Sequence, residues 1–497
     1  MKSTVHTIGI VGAGTMGRGI AELAARRGFI VKLHDAADGA QLGALATIGD
    51  AFNRDAAKGR LRAAEAEAMM SRISAGDIQS VAGADLVIEA VRENLEVKRA
   101  LFRHLSRLAP AAILATNTSS LSVAAIAEAV TDPTRFAGMH FFNPPTRMPV
   151  VEIVRGAATG DMTILSLRAV AAKLGRRAFV VADTPGFLVN HIGRAYTGEA
   201  LRLLDEGIAS AAELDRIAKG ALHFRMGPFE LLDLVGLDVS ADVTEQMWRA
   251  FGEEPRFRPA PIARKRVAEG LLGRKSGRGF YDYDATGHSQ PPPEFPTDAK
   301  PTPVRLVGFT EGLHRSITRL LPPDLVTDDP AAIALVGPIG TDVASEAIRH
   351  GLDPRRTVGI DPIFTDLATL AGPFEVASAV AASIHAAGHS VVVVADGPGM
   401  PAQRIATMMV LVAAEAAAAG IGSPEDIDAA ARLALAYPQG PFELGDAVGA
   451  GRIADIAAAL LARTGDRRWR PSPWLDRHAR SGVTMAQSQS QQELAPN

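Results

Sequence analysis

The sequence predicts an α/β domain followed by an all-α domain, then a degenerate second copy of both. Three observations predict it. Short apolar runs alternate with helical periodicity over the first 183 residues. From Pro185 to about Tyr283 the pattern is helical instead, with apolar residues at three- and four-residue spacing over Asn190 to Leu204, Ala211 to Lys219 and Pro228 to Leu234. Finally, Gly227-Pro-Phe-Glu-Leu-Leu-Asp233 returns as Gly440-Pro-Phe-Glu-Leu-Gly-Asp446, an offset of 213 (440 − 227).

Composition narrows the function classes. The 497 residues are 47% apolar and 22% charged, an ordinary globular balance with room for about three or four domains. A net charge of −3 gives no electrostatic case for nucleic acid or an anionic membrane. The absence of cysteine excludes disulfides, thiolate metal sites and a cysteine nucleophile, and it suits a reducing cytoplasm. No metal-ligand cluster is expected. Met1 to Thr7 runs straight into a strand, so no signal peptide is expected. The longest apolar helix, Ile405 to Ala419, contains Glu415 and reads as a core helix, not a membrane span.

Taken in order, the chain opens with a strand at Thr7–Val11, then Gly12-Ala13-Gly14-Thr15-Met16-Gly17, then a helix ending before Gly28. A second strand, Ile30 to Asp35, places an acid 21 positions after Gly14. Flanked in this way, G-x-G-x-x-G is a specific signal for a Rossmann dinucleotide site. Gly12 permits the tight turn, Gly14 admits a pyrophosphate to the helix start, and Gly17 allows close packing of helix and strand. Asp35 would accept from a ribose 2′-hydroxyl and repel a 2′-phosphate, which favours NAD over NADP. Residues 40 to 75 read as an extended helical pair carrying Arg54, Lys58 and Arg60. They form either a basic arm for a substrate phosphate or a solvated helix face. Strands at Asp85–Glu89 and Ile113–Thr116 end in polar residues, Glu93 and Lys98 after the first and Asn117-Thr-Ser119-Ser after the second. Ligands sit beyond such strand ends. Asn117 suits a nicotinamide carboxamide and Ser119 a substrate oxygen, while Ser120 and Ser122 read as turn and cap residues.

The next apolar run, Phe136 to Phe142, carries His140, and Asn143-Pro-Pro145 breaks it. Val150 to Val154 forms a second run with Glu152, twelve positions beyond His140. Across the turn, the carboxylate would hold one ring nitrogen and leave the other to take a proton. A lone histidine is otherwise read as structural; a cofactor motif upstream favours the base.

The order Gly12-x-Gly14-x-x-Gly17, Glu93, Lys98, Asn117-Thr-Ser119-Ser, His140-Phe-Phe-Asn-Pro, Glu152, Thr184-Pro-Gly-Phe187, Asn190, Gly227-Pro-Phe-Glu-Leu-Leu-Asp233 and Gly273-Arg-Lys275-Ser-Gly resembles the 3-hydroxyacyl-CoA dehydrogenase family. The match covers residues 1 to about 285. It implies NAD as cofactor and an acyl-CoA substrate. The implied roles are His140 as base, Glu152 as its partner, Ser119 and Asn190 on the substrate, and Asn117, Glu93, Lys98 and Lys275 with the cofactor. The family pattern has an apolar residue and a lysine where this chain has Arg147 and Pro149, which leaves Arg147 as either a contact for the substrate tail or a surface residue.

Expected boundaries are 1–183 for the NAD-binding domain and 184–285 for the helical domain, followed by a Pro-rich linker over 286–302. A degenerate Rossmann-like domain over 303–395, a second helical domain over 396–487 and a disordered tail over 488–497 complete the chain. At an offset of 221, His140 falls on Asp361, Ser119 on Gly340 and Asn117 on Pro338; at 213, Asn190 falls on Gln403. The second copy is therefore expected to be silent, and the chain to be a monomer with an internal pseudo-dimer, or a homodimer. This long form resembles the dehydrogenases of aerobic phenylacetate breakdown, whose substrate is 3-hydroxyadipyl-CoA. The rival readings are a 3-hydroxybutyryl-CoA dehydrogenase and a non-catalytic NAD-binding structural protein.

Overall fold

A computed structural model describes residues 5–284 and 302–487. The expected linker, apart from Thr302, and the expected tail lie outside the described residues. The chain divides into two compact units, Met1–Val189 with Gly420–Gly422 and Asn190–Ala419 with Ser423–Asn497.

The first unit is a Rossmann-like sheet of eight strands. β1 (Thr7–Val11), β2 (Ile30–His34), β3 (Ile73–Ala75), β4 (Leu86–Glu89), β5 (Ile113–Thr116) and β6 (Phe136–Phe141) are parallel, in the order β3-β2-β1-β4-β5-β6. β7 (Val150–Arg155) adds to β6 antiparallel, and β8 (Arg177–Ala182) adds to β7 in parallel. The order reverses between β1 and β4, so their carboxyl ends open the crevice where such sheets bind ligands. Interior strands such as β4 and β6 are buried along their whole length, which is why they read as unbroken apolar runs and not as alternation. The helices are α1 (Thr15–Arg26), α2 (Ala40–Ala57), α3 (Ala63–Met70), α4 (Leu95–Leu108), α5 (Val123–Ala127) and α6 (Asp161–Lys173). α1 presents Ile20, Ala21, Leu23 and Ala24 to a core that includes Ile8, Ile10, Leu33 and Met139.

α7 (Val189–Asp205) leads into the second unit, where α8 (Ala211–Gly220), α9 (Pro228–Val235), α10 (Leu237–Ala250) and α11 (Pro261–Ala268) follow. The expected helices over 190–204, 211–219 and 228–234 correspond to α7, α8 and α9 with one residue added at one or both ends. A five-stranded sheet comes next, made of β9 (Val304–Val307), β10 (Ile333–Val336), β11 (Thr357–Ile360), β12 (Ala368–Ala371) and β13 (Val391–Val394) in sequential order. Only β11 and β12 pair antiparallel. Its helices are α12 (Glu311–Thr318), α13 (Val343–Arg349) and α14 (Phe374–Ala386). A second helical set closes the chain: α15 (Pro401–Ala418), α16 (Pro424–Ala434), α17 (Pro441–Val448), α18 (Ala450–Thr464) and α19 (Pro473–Ser481). α15 is the helix expected at 405–419. It is buried on nearly every side, which explains its apolar character. Among the described residues no helix is long and apolar enough to cross a membrane.

Within this unit α7 and α15 are joined by buried charge. Arg404 donates from Nε and Nη2 to Glu199 Oε1 at 2.8 and 2.6 Å and from Nη1 to Glu206 at 2.6 Å. Arg468 reaches the same two carboxylates at 3.3 and 3.2 Å. Glu199 is wholly buried, so these guanidinium forks supply the compensation that a charge out of water requires.

The two sheets correct one residue-level expectation. Leu114 pairs with Phe136 in the first sheet, and Ala334 with Thr357 in the second. Matched by ladder position, 136 corresponds to 357 at the expected 221, but 114 corresponds to 334 at 220. The N-cap residues Ser122 of α5 and Asp342 of α13 agree with 220. Set ladder against ladder, Asn117 lies level with Gly337 and Ser119 with Ile339, one residue before Pro338 and Gly340. The extra residue falls between the helix after each strand and the next strand, where loops absorb insertions.

Candidate active site

The glycine-rich loop carries its geometry in the backbone. Gly12 has φ +109°, a left-handed value that disfavours any side chain, and a Cβ there would lie 2.4 Å from Ala90 O. A Cβ on Gly17 would lie 1.8 Å from Gly12 O, so this glycine is required by the packing of the first turn of α1. Gly14 has open space where a Cβ would point, and it and Thr15 are exposed at the helix start. An anion can therefore approach the amides of the α1 N-terminus. Ala13 is buried and Met16 half-buried, so the loop meets solvent through Gly14 and Thr15. Asp35, at the end of β2, accepts from Ala13 N at 2.6 Å and from Ala37 N at 2.8 Å. Its carboxylate thus holds the loop as well as placing negative charge where a 2′-phosphate would sit.

Beyond β4 and β5 a second set converges. Glu93 Oε1 accepts from Thr118 Oγ1 at 2.5 Å, Ser119 N at 3.0 Å, Ser120 N at 3.1 Å and Ser120 Oγ at 3.0 Å. Burial raises its pKa, but the Thr118 bond, the Lys98 charge and the Ser119 and Ser120 donors outweigh this and hold it below the usual carboxylate range. Lys98, expected at the cofactor, has no exposed side-chain surface; its Nζ lies 2.6 Å from Glu89 and 3.3 Å from Glu93. Asn117 Oδ1 accepts from Phe141 N at 2.8 Å, which fixes the amide and points its NH₂ away from that bond. Ser119 is exposed at the loop tip.

His140 and Glu152 face each other as direct partners in the antiparallel β6–β7 ladder. Nδ1 lies 2.7 Å from Glu152 Oε2. The other carboxylate oxygen accepts from Leu188 N at 2.9 Å and Val189 N at 2.8 Å, at the start of α7. An acceptor at Nδ1 makes that nitrogen the donor, so Nε2 carries the lone pair. Phe142 and Phe187 lie 4.5 and 5.7 Å from the imidazole, ring to ring, and leave it 6% exposed. The result is a base held in one tautomer beside apolar walls.

Arg54, in the last turn of α2, and Lys58, its C-cap, are exposed. Arg147 is exposed in the turn after β6, where its N–H donates to Pro144 O. Asn190, one residue beyond Val189, and Lys275, 2.6 Å from Asp238, belong to the second unit. Sequence reasoning missed Glu89 and the two α7 amides. Glu89 was visible as an acid ending an apolar strand, whereas the amides left no side-chain signal. Among the described residues no group of three or more His, Asp or Glu is placed to hold a metal.

Residues 7–184 match the family model described as 3-hydroxyacyl-CoA dehydrogenase, NAD binding domain. Residues 186–283 and again 399–491 match that of the 3-hydroxyacyl-CoA dehydrogenase C-terminal domain. The chain is 36% identical over 485 residues to the 3-hydroxyadipyl-CoA dehydrogenase of Escherichia coli K12, covering 96% of this chain and 98% of that one. It is 40% identical over 282 residues to a probable 3-hydroxybutyryl-CoA dehydrogenase of Bacillus subtilis, covering 56% of this chain and 98% of that one. A solved structure of 3-hydroxybutyryl-CoA dehydrogenase from Escherichia coli K12 superposes with a TM-score of 0.84 at 34% identity, over 96% of this chain and 99% of that one. The open α1 N-terminus and the Asp35 carboxylate fit the pyrophosphate and ribose of NAD.

The glycines separate cofactor binding from folding. Gly14→Ala places a methyl in the open pyrophosphate approach and is expected to weaken NAD binding about tenfold, or ~1.4 kcal/mol, while leaving the unfolding midpoint unchanged. Gly17→Ala is expected to lower the midpoint itself. NAD titration beside denaturant unfolding reads both, and equal midpoints in the two variants would contradict the assignment.

Proposed function

The chain belongs to the 3-hydroxyacyl-CoA dehydrogenase family, and from that premise we propose that it oxidises 3-hydroxyadipyl-CoA to the 3-oxo ester, with one active centre per chain. The single observation that carries the chemistry is the His140–Glu152 pair, with Nδ1 held at 2.7 Å and Nε2 left as acceptor. His140 Nε2 takes the hydroxyl proton as the carbon–hydrogen bond at C3 breaks. Glu152 stays on Nδ1 and offsets the charge of the imidazolium. When bound, NAD supplies the hydride acceptor. The Ser119 hydroxyl and the Asn190 amide hold the substrate oxygens, and Asn117 holds the carboxamide; their contribution is orientation.

The dicarboxylate ester is favoured by the likeness to the 3-hydroxyadipyl-CoA enzyme, which runs over nearly the whole of both chains. A terminal carboxylate needs a positive contact, because burying it unpaired is costly. Arg147, exposed in the turn between the dyad strands, is the residue we assign to it. The second reading, the butyryl ester, draws on the relatives named for that substrate.

We read the second half as a degenerate duplicate. Left-handed backbone positions recur at an offset of 213: Gly186 and Gly399, Gly207 and Gly420, His223 and Ala436, Gly236 and Gly449, Gly252 and Gly465. Asp215 caps Phe229 N and Glu230 N at 2.9 and 3.1 Å, and Asp428 caps Phe442 N and Glu443 N at 2.8 and 3.1 Å. The C-terminal family model also matches twice. In the second copy the dyad is gone: Asp361 N donates to Thr369 O across the ladder where His140 faces Glu152. Gln403, in the position of Asn190, donates to Asp361 Oδ1 at 3.1 Å and Pro338 O at 2.9 Å and accepts from Gly340 N at 3.0 Å. These bonds are buried and fill the counterpart of the substrate contacts. Matched by ladder, β9 beside β10 stands where β4 stands beside β5, so among the described residues the second sheet has no strand in the position of β1 and its glycine loop. The buried Arg404 and Arg468 contacts to Glu199 and Glu206 support an internal pseudo-dimer of the two helical sets.

Expected outcomes follow from each part. His140→Gln and Glu152→Gln each lower turnover at least about a hundredfold while NAD binding persists; near-normal turnover in either removes the dyad. Purified enzyme turns over the adipyl ester with a higher kcat/KM than the butyryl ester, and Arg147→Ala erodes that ratio about tenfold; equal loss on both esters refutes the Arg147 contact. Equilibrium titration finds one NAD per chain, and two sites would overturn the silent second copy.

A further inference from the structure

Glu89 is a buried acid at the end of a central strand that the reaction above does not use. Its side chain has no exposure. Oε1 accepts from Lys98 Nζ at 2.6 Å and from Val91 N at 2.7 Å, and Oε2 accepts from Thr116 Oγ1 at 2.7 Å. One carboxylate thus ties together the ends of β4 and β5 and the first residues of the loop after β4. Lys98 projects from α4 and is equally buried, and it extends the tie to Glu93 at 3.3 Å. Glu93 in turn gathers Thr118, Ser119 and Ser120 through a single oxygen. The backbone of Asn117 is anchored to the same strand, its N–H donating to Glu89 O at 2.8 Å.

We propose that Glu89 and Lys98 are positioning residues that set Glu93, and through Glu93 the Asn117–Ser120 loop that presents Asn117 and Ser119. This rests on the dehydrogenase reading and deepens it. Two carboxylates and one ammonium share the pocket, and the donors facing them come from three elements: Val91 from the loop after β4, Lys98 from α4, and Thr116 with the Thr118–Ser120 amides and hydroxyls from β5 and its loop. A buried pair with both oxygens of the Glu89 carboxylate hydrogen-bonded has little freedom to shift, so it can hold a loop to the tolerance that a hydroxyl contact in catalysis needs. Lys98 has no surface to offer a ligand, which distinguishes this role from direct cofactor contact.

The test is a double-mutant cycle on the full chain between Lys98→Met and Ser119→Ala, with NAD affinity measured in parallel. If Lys98 acts through the loop, Lys98→Met lowers kcat about tenfold or more, NAD affinity changes by less than about threefold, and Ser119→Ala costs much less in the Lys98→Met background than in the wild type. Fully additive losses, unchanged kcat, or a loss seen as weaker NAD binding at unchanged kcat would overturn the proposal. Should Lys98→Met fail to fold, the charge-balanced Glu89→Gln/Lys98→Met variant leaves no lone charge from the pair and enters the same cycle. Wild-type activity on a 3-hydroxyacyl-CoA is read first: its absence counts against the dehydrogenase reading, while additivity in an active enzyme counts against this inference alone.

Discussion

A carboxylate buried without exposure must have its oxygens occupied, and Glu152 is the position on which the first unit turns. One oxygen takes the two amides at the start of α7, and the other takes His140. Satisfying that charge therefore fixes three things at once: the register of β6 against β7, the entry of the chain into α7, and the tautomer of the imidazole. A slip of one residue in the β6–β7 ladder would turn one of the two side chains to the opposite face and separate the imidazole from its carboxylate. Catalytic geometry and folding geometry are here the same constraint.

The polar pockets beyond β4 and β5 follow a similar rule. Charge here is compensated either by an opposite charge or by backbone donors: Lys98 sits between Glu89 and Glu93, and Asp35 accepts from the amides of Ala13 and Ala37. Glu89 and Asp35 stand at the carboxyl ends of β4 and β2, where a fixed backbone gives short, well-defined distances. The loops that carry Asn117 and Ser119 are thereby anchored from below.

Much of this was legible in the sequence because it is local. The fingerprint occupies one strand, one turn and one helix, and the His140 to Glu152 spacing spans a single strand–turn–strand, so each could be read without the rest of the chain. The helix limits of α7, α8 and α9 came from apolar spacing alone. What was not legible is long-range pairing. The burial of Lys98 depends on α4 packing beside α5 and β5, and the anchor of Glu152 comes from backbone amides 36 and 37 residues away, which no residue type announces. The one-residue change at Asn117 and Ser119 was hidden for a different reason: the offset of 221 comes from Pro133-x-Arg135-x-x-Gly138 and Pro354-x-Arg356-x-x-Gly359, which lie beyond the extra residue, and no motif before it gave 220.

The buried charges of α7 also bear on how the polypeptide is made. Glu199 leaves the ribosome 205 residues before Arg404 and 269 before Arg468, the partners that neutralise it in the finished fold. At synthesis rates of about 5–20 residues per second, that interval is on the order of tens of seconds. During it Glu199 has only Arg202, 3.6 Å away on its own helix, of the three guanidiniums that surround it in the finished fold. The charge cluster around Glu199 is therefore completed only when the residues of the second half, up to Arg468, have been made.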